Sequence, residues 1–303
     1  ATWVTVADDP RFLERTKDVL KIYGQAHRLR VLNFLPRACS DAFNPIKSGP
    51  LASRVEHLVR MMESVPPPAK ESMGVQELTS LLVFRMSAMV MHMTTKGDQI
   101  GRHPDLAWLL ELTDPLEVEK ILLEEPALPP HARGAFLALD KKVQALFPTQ
   151  GYRVLSDWLK GVLGPINARF GHVLLESTSD RPSVAAHELI GGSCSTVVIL
   201  PRDSKPVSHL MMEVLSHHSY LHAEPPTEAT HVQHLILLDS VGYYGTAVSL
   251  GRFQQPSTKR WGLATVLLDE DFPSLKPMGE DVAEAVRLCK VKMFLSHDQP
   301  TLR

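Results

Sequence analysis

Thr196-Val197-Val198-Ile199-Leu200 is an apolar run in which four of five side chains are β-branched. This composition is typical of a strand that is buried in a sheet. Similar short runs occur at 235–238 and 263–268, and weaker ones at 172–175 and 247–250. The runs predict that the part of the chain after Gly164-Pro165 forms a β-sheet.

Helical patterns separate the early runs, at about 182–190 and 206–219, and another closes the chain at about 280–295. The predicted order is β-α-β-α-β, followed by a hairpin-like strand pair and a final helix. Strands that alternate with helices favour parallel pairing, whereas strands that follow one another directly favour an antiparallel edge. We therefore expect a mixed sheet.

The part of the chain before Gly164-Pro165 reads as short helices that are interrupted by proline. Asp9-Pro10 provides an N-cap and a first-turn proline, and the prolines at 66–68 end a helical pattern. Strand-like alternation is not expected before about residue 168. The predicted helices span roughly 10–34 with a break near Gly24, 52–64, 75–94, 104–112, 115–124, 131–146 and 152–163.

These patterns predict an α/β or α+β chain whose first half is helical and whose second half contains the mixed sheet. We place a helical domain at 1–164 and an α/β domain at 165–303. A chain of 303 residues is long enough for either one large core or two smaller ones.

Composition limits the classes of function and the compartment. The formal net charge of −2 argues against a dedicated duplex-DNA binder. Three cysteines form no CxxC pair, which argues against a disulfide framework and favours a reducing compartment, either cytoplasm or organelle matrix. The apolar run from Leu78 to Met93 carries Arg85 at its centre, so we expect a buried helix and no membrane insertion.

Histidine is concentrated in one segment, because six of the fourteen histidines lie between 209 and 234. His218 and His222 are four residues apart near a predicted helix end, and Asp239 follows the next strand. Together they form a candidate zinc or iron site. Carboxylates also follow other predicted strands, at Glu176 and at 269–271. The alternative is that these histidines are hydrogen-bonded or pH-sensitive surface groups, since no HExxH pattern is present.

Met86, Met89 and Met93 lie at i, i+3 and i+7 of one predicted helix. A face lined by methionine can form an adaptable groove for a partner helix. The simpler interpretation of the same spacing is that the methionines fill gaps in a core.

A weak basic and aromatic pattern occurs late in the chain, at Arg252, Lys259, Arg260 and Trp261. On a strand pair it could hold single-stranded nucleic acid, here RNA. Lysine and arginine that protect a sheet edge would explain it as well.

Recognised catalytic signatures and a phosphate-binding loop are missing, so the sequence identifies neither catalytic nor cofactor-binding residues. We favour a non-catalytic interaction subunit of a larger assembly with protein partners, which could include RNA. The alternative is a metal-dependent hydrolase that uses the 209–234 histidines and the strand-end carboxylates.

Overall fold

The structure, a computed structural model, describes 2–67, 75–114, 151–174, 183–189, 194–221, 234–239 and 263–267, with three single positions between 138 and 145. Its strands are β1 (Thr2–Ala7), β2 (Leu29–Asn33), β3 (Phe43–Asn44), β4 (Val184–Ala185), β5 (Ser195–Ile199), β6 (His234–Leu238) and β7 (Leu263–Leu267). Its α-helices are α1 (Pro10–Ile22), α2 (Leu51–Glu63), α3 (Val75–Ile100), α4 (Leu106–Glu111), α5 (Gly151–Leu174) and α6 (Lys205–Leu221). Short 3₁₀ helices occupy Ala26–Arg28 and Ala186–Glu188.

Five of these strands form one sheet in the order β2-β5-β1-β6-β7. Each described pairing in it is parallel. β1 therefore lies at the centre of the sheet, between two strands from the second half of the sequence. β3 and β4 form a separate two-stranded parallel pair.

Side chains of the sheet alternate between two apolar clusters, one on each face. Val4 and Val6 of β1 belong to the larger cluster, whereas Trp3 and Ala7 belong to the smaller one around Leu13 of α1. Helices therefore cover both faces, which is the arrangement that parallel sheets require. The fold is a doubly wound α/β structure with α1 on one side and the larger helical layer on the other.

The larger helical layer is organised around α2, which packs against both α3 and α6. Buried apolar side chains of these three helices join the larger cluster, among them Leu58, Leu82 and Leu215. None of the described helices is both long and apolar enough to cross a bilayer. The run from Leu78 to Met93 lies within α3, as a buried-helix interpretation requires.

The α/β class is confirmed, and so are the strands predicted at 196–200, 235–238 and 263–268. The expectation of a strand-free first half is wrong, because β1 and β2 are both integral to the sheet. Residues 172–174, where a strand is predicted, form the last turn of α5 instead. The described residues of the helix predicted at 182–190 form β4 and a 3₁₀ turn. The predicted antiparallel strand at 247–250 and the helices at 115–124 and 280–295 lie outside the described residues.

The domain boundary expected at Gly164-Pro165 falls inside α5, which continues through the proline. The large sheet combines strands from both sides of that position.

Candidate functional site

The predicted metal ligands are placed as follows. Asp239 follows β6, and its amide donates to the Val6 carbonyl oxygen (2.9 Å). His218 belongs to the last turn of α6, although its side chain lies outside the described residues, as does all of His222. In a parallel β-α-β unit the helix returns the chain to the amino edge of the sheet. The end of α6 and Asp239 thus belong to opposite edges, and the topology does not bring them together.

The predicted partner groove is part of the core. Met86, Met89 and Met93 are fully buried in the larger apolar cluster. Because α3 packs this face against the rest of the chain, the methionines fill the core and offer no exposed docking face. The remaining site predictions lie outside the described residues: Glu176, 269–271, Arg252, Lys259, Arg260 and Trp261.

A polar cluster lies between α2 and α6, formed by Ser53, Glu56, His57, Glu213 and His217; we call it the α2–α6 cluster. One ligand atom from each of Glu56, Glu213 and His217 lies within 4.8 Å of the others. Glu213 is 2% exposed and His57 is 1% exposed, whereas Glu56 reaches partly into solvent. The cluster thus has a buried inner side and a half-open outer side.

The imidazole of His217 is held from three directions. Its Nε2 lies 2.8 Å from Ser53 Oγ, and its Nδ1 lies 3.5 Å from Glu56 Oε2. The ring of His57 packs edge-on against it, with a centroid distance of 5.3 Å. If Nε2–H donates to the serine hydroxyl, the lone pair of Nδ1 is on the side of the Glu56 carboxylate, so the ring is oriented as a ligand or as a proton acceptor.

His209 lies two turns before His217 on α6. Burial is the main cause that lowers the pKa of His209, with a further lowering from Lys205 and an opposing effect of Glu63 on α2. The fold therefore favours the neutral imidazole at this position.

A second candidate site is the carboxyl edge of the sheet, because doubly wound sheets bind ligands where the strand order reverses. Here that place lies between the ends of β1 and β5. Asp8 follows β1, Arg202 follows β5, and the two side chains form an ion pair across it. Beside it, Arg169 of α5 donates from Nη2 to both carboxylate oxygens of Asp203 at 2.8 Å.

The turn from β1 into α1 has the wrong chemistry for a phosphate group. It consists of Asp8 and Asp9, followed by Pro10 at the first position of the helix. The Asp9 carboxylate accepts the amide of Arg11 (2.9 Å), and proline has no amide to offer. Arg11 also holds the pKa of Asp9 below its usual range through hydrogen bonds. A helix start that is capped by its own carboxylate competes with an anionic ligand for the free backbone amides.

Sequence reasoning missed Glu56 and Glu213 and did not separate His217 from the other histidines. The i,i+4 spacing of Glu213 and His217 on α6 was a readable signal. The partner residues were not, because Ser53 and His217 are 164 residues apart in the chain.

No family model matches the chain, and no curated protein matches it. Among solved structures, the plasmid coupling protein TrwB in complex with ADP and Mg²⁺ is 12% identical, with a TM-score of 0.47 over 95% of this chain and 68% of TrwB. VirB4 of Thermoanaerobacter pseudethanolicus is 13% identical, with a TM-score of 0.34 over 96% of this chain and 84% of VirB4. Likeness at this level supports no inference about what this chain does.

Proposed function

We propose that this chain is a non-catalytic interaction subunit of a larger protein assembly. The observation that carries the proposal is the ion-paired crevice at the carboxyl edge of the sheet. Doubly wound enzymes use this crevice for nucleotides and other anionic ligands. Here the Asp8–Arg202 pair and the Asp9 cap occupy the described part of it with the chain's own charges.

A surface suited to a partner lies at the end of α1. Val19, Ile22 and Tyr23 are exposed there, and Ile22 and Tyr23 are the most exposed large apolar side chains of the described residues, at 80% and 72%. Apolar side chains grouped in this way are characteristic of contact surfaces. Lysine and arginine outnumber acidic residues along α1. The partner that fits is therefore a protein with an apolar contact patch and an acidic rim.

Of the histidines and strand-end carboxylates that the hydrolase alternative uses, the side chains of only His209, His217 and Asp239 are described. The topology separates Asp239 from the end of α6, so the described residues do not assemble the histidine and strand-end carboxylate site that this alternative uses.

A capture experiment with matched variants tests the proposal. The full chain is used as bait beside Ile22→Glu and beside Ile100→Glu, a control that adds the same charge at another exposed apolar position. A partner protein should bind wild type and the control, lose most of its affinity for Ile22→Glu, and bind more weakly at high salt when the two purified proteins are recombined.

Direct titration with ATP and GTP in the presence of Mg²⁺ provides the opposing measurement. We expect no saturable binding to the purified chain. Saturable nucleotide binding that is lost in Arg202→Ala would contradict the proposal, because the crevice would then be an active ligand site.

A further inference from the structure

We propose that the α2–α6 cluster binds one divalent cation of the Zn²⁺ type through Glu56, Glu213 and His217. This proposal is independent of the proposed function. It assigns a ligand to a group of side chains that the carboxyl-edge crevice does not include.

The spacing of the ligand atoms fits a small cation. Ligands in a tetrahedral zinc site stand about 2.0–2.2 Å from the metal, which puts neighbouring ligand atoms about 3.4 Å apart. His217 Nδ1 and Glu56 Oε2 are already 3.5 Å apart. The full set lies within 4.8 Å, so small side-chain rotations bring the third ligand into the same sphere.

The charges of the cluster also favour a bound cation. The cluster places two carboxylates together, and one of them, Glu213, is almost completely buried. Two adjacent carboxylates in such a place repel each other and lose hydration. A divalent cation bound with neutral imidazole gives a site of zero net charge, which removes that repulsion. One nitrogen and two oxygen ligands suit Zn²⁺ better than Ca²⁺ or Mg²⁺, which prefer oxygen alone.

The surroundings of His217 resemble the outer shell of a metal site. Ligating histidines usually donate their second ring N–H to a fixed acceptor, which sets the tautomer and the ring orientation. Ser53 Oγ, which lies 2.8 Å from Nε2, is the acceptor here, so Nδ1 remains available to the metal. The buried ring of His57 closes the inner side. Ser53 is thus a positioning residue, and water from the side of Glu56 supplies the fourth ligand.

Zinc titration of the full chain, after treatment with a chelator, tests the site. Isothermal titration should give one Zn²⁺ per chain that is lost on substitution of a ligand, and Zn²⁺ should raise the melting temperature of wild type. Co²⁺ should give the visible absorption of a tetrahedral site. His217→Gln and Glu56→Gln should each lower the zinc affinity at least tenfold. Ser53→Ala should lower it about tenfold, the size of an outer-shell effect.

The controls are His209→Gln, which removes a histidine from the same helix, and Glu63→Gln, which removes a carboxylate from α2. Both should bind Zn²⁺ as wild type does. Glu56 is partly exposed, so Glu56→Gln should keep the wild-type circular dichroism spectrum and remain informative if a buried variant unfolds.

Two results would overturn the proposal. One is zinc binding that is equal in wild type, His217→Gln and Glu56→Gln, since the ion would then sit on other histidines. The other is a chain that binds neither Zn²⁺ nor Co²⁺.

Discussion

At the scale of single residues, His209 makes stability depend on pH. Burial lowers its pKa below the ordinary value of about 6.5, so the unfolded chain binds the proton before the folded chain does. Above about pH 6.5 both states are neutral and the residue contributes no pH dependence. As the pH falls through about 6.5 the free energy of unfolding should decrease, and it should level off below the folded pKa.

Urea unfolding of wild type and His209→Gln between about pH 8 and pH 5 measures this effect. The difference in unfolding free energy between the two proteins should shift in favour of the variant as the pH falls. A difference that stays constant would mean that His209 titrates in the folded protein as it does in the unfolded chain.

Asp105 caps the start of α4. It is fully buried and accepts the amide of Trp108 at 2.7 Å, and Arg102 lies 3.5 Å from its second oxygen. Asp105→Ala should lower the unfolding free energy by about 1–2 kcal/mol, because it removes the cap of a helix of only six residues. Asp105→Asn, which can still cap, should lose less. Equal losses would show that the charge facing Arg102, and not the cap, stabilises this corner.

At the scale of elements, the α3–α4 corner requires a glycine. A Cβ on Gly97 would stand 2.1 Å from the carbonyl oxygen of Arg102, which is backbone and cannot easily move. Gly97→Ala should therefore destabilise the protein by about 1–3 kcal/mol, the usual range for overpacking.

Gly161 in α5 is the matched control, because a Cβ there meets nothing within 4 Å. Gly161→Ala should be neutral or should stabilise by up to about 1 kcal/mol through helix propensity. Both free energies come from urea unfolding. Equal effects at the two positions would mean that the corner relaxes around the added methyl group.

The elements that sequence could predict are those whose pattern is local. β5, β6 and β7 are short apolar runs between polar segments, and each is too short to be a typical helix. β2 was assigned to a helix because Leu29, Val31 and Leu32 fit both periods in so short a stretch. The last turn of α5 looked like a strand because Pro165 suggested that the helix had ended, whereas the helix continues through it.

The candidate site could be predicted only in part, because it depends on the packing of two helices that are far apart in the sequence. His217 and Glu213 share a face of α6, which spacing alone reveals. Glu56 and Ser53 reach them only because α2 packs on α6, and that contact is a property of the tertiary fold. His218 and His222 show the same i,i+4 spacing, and this spacing carries no information about which side of the helix is buried.

At the scale of the whole molecule, the position of β1 decides whether the two halves can fold separately. β1 pairs with β5 on one side and β6 on the other, so it joins the two parts of the sheet that come from the second half of the chain. A fragment of residues 165–303 lacks this central strand, leaves the facing edges of β5 and β6 unpaired, and also cuts α5. Unpaired edges expose backbone donors and acceptors and promote aggregation. The fragment should therefore be aggregated or unfolded by circular dichroism and by urea titration, whereas the full chain should unfold cooperatively. A fragment that is monomeric and unfolds cooperatively would instead establish the C-terminal half as an independent domain, and β1 would then be an addition to a sheet that closes without it.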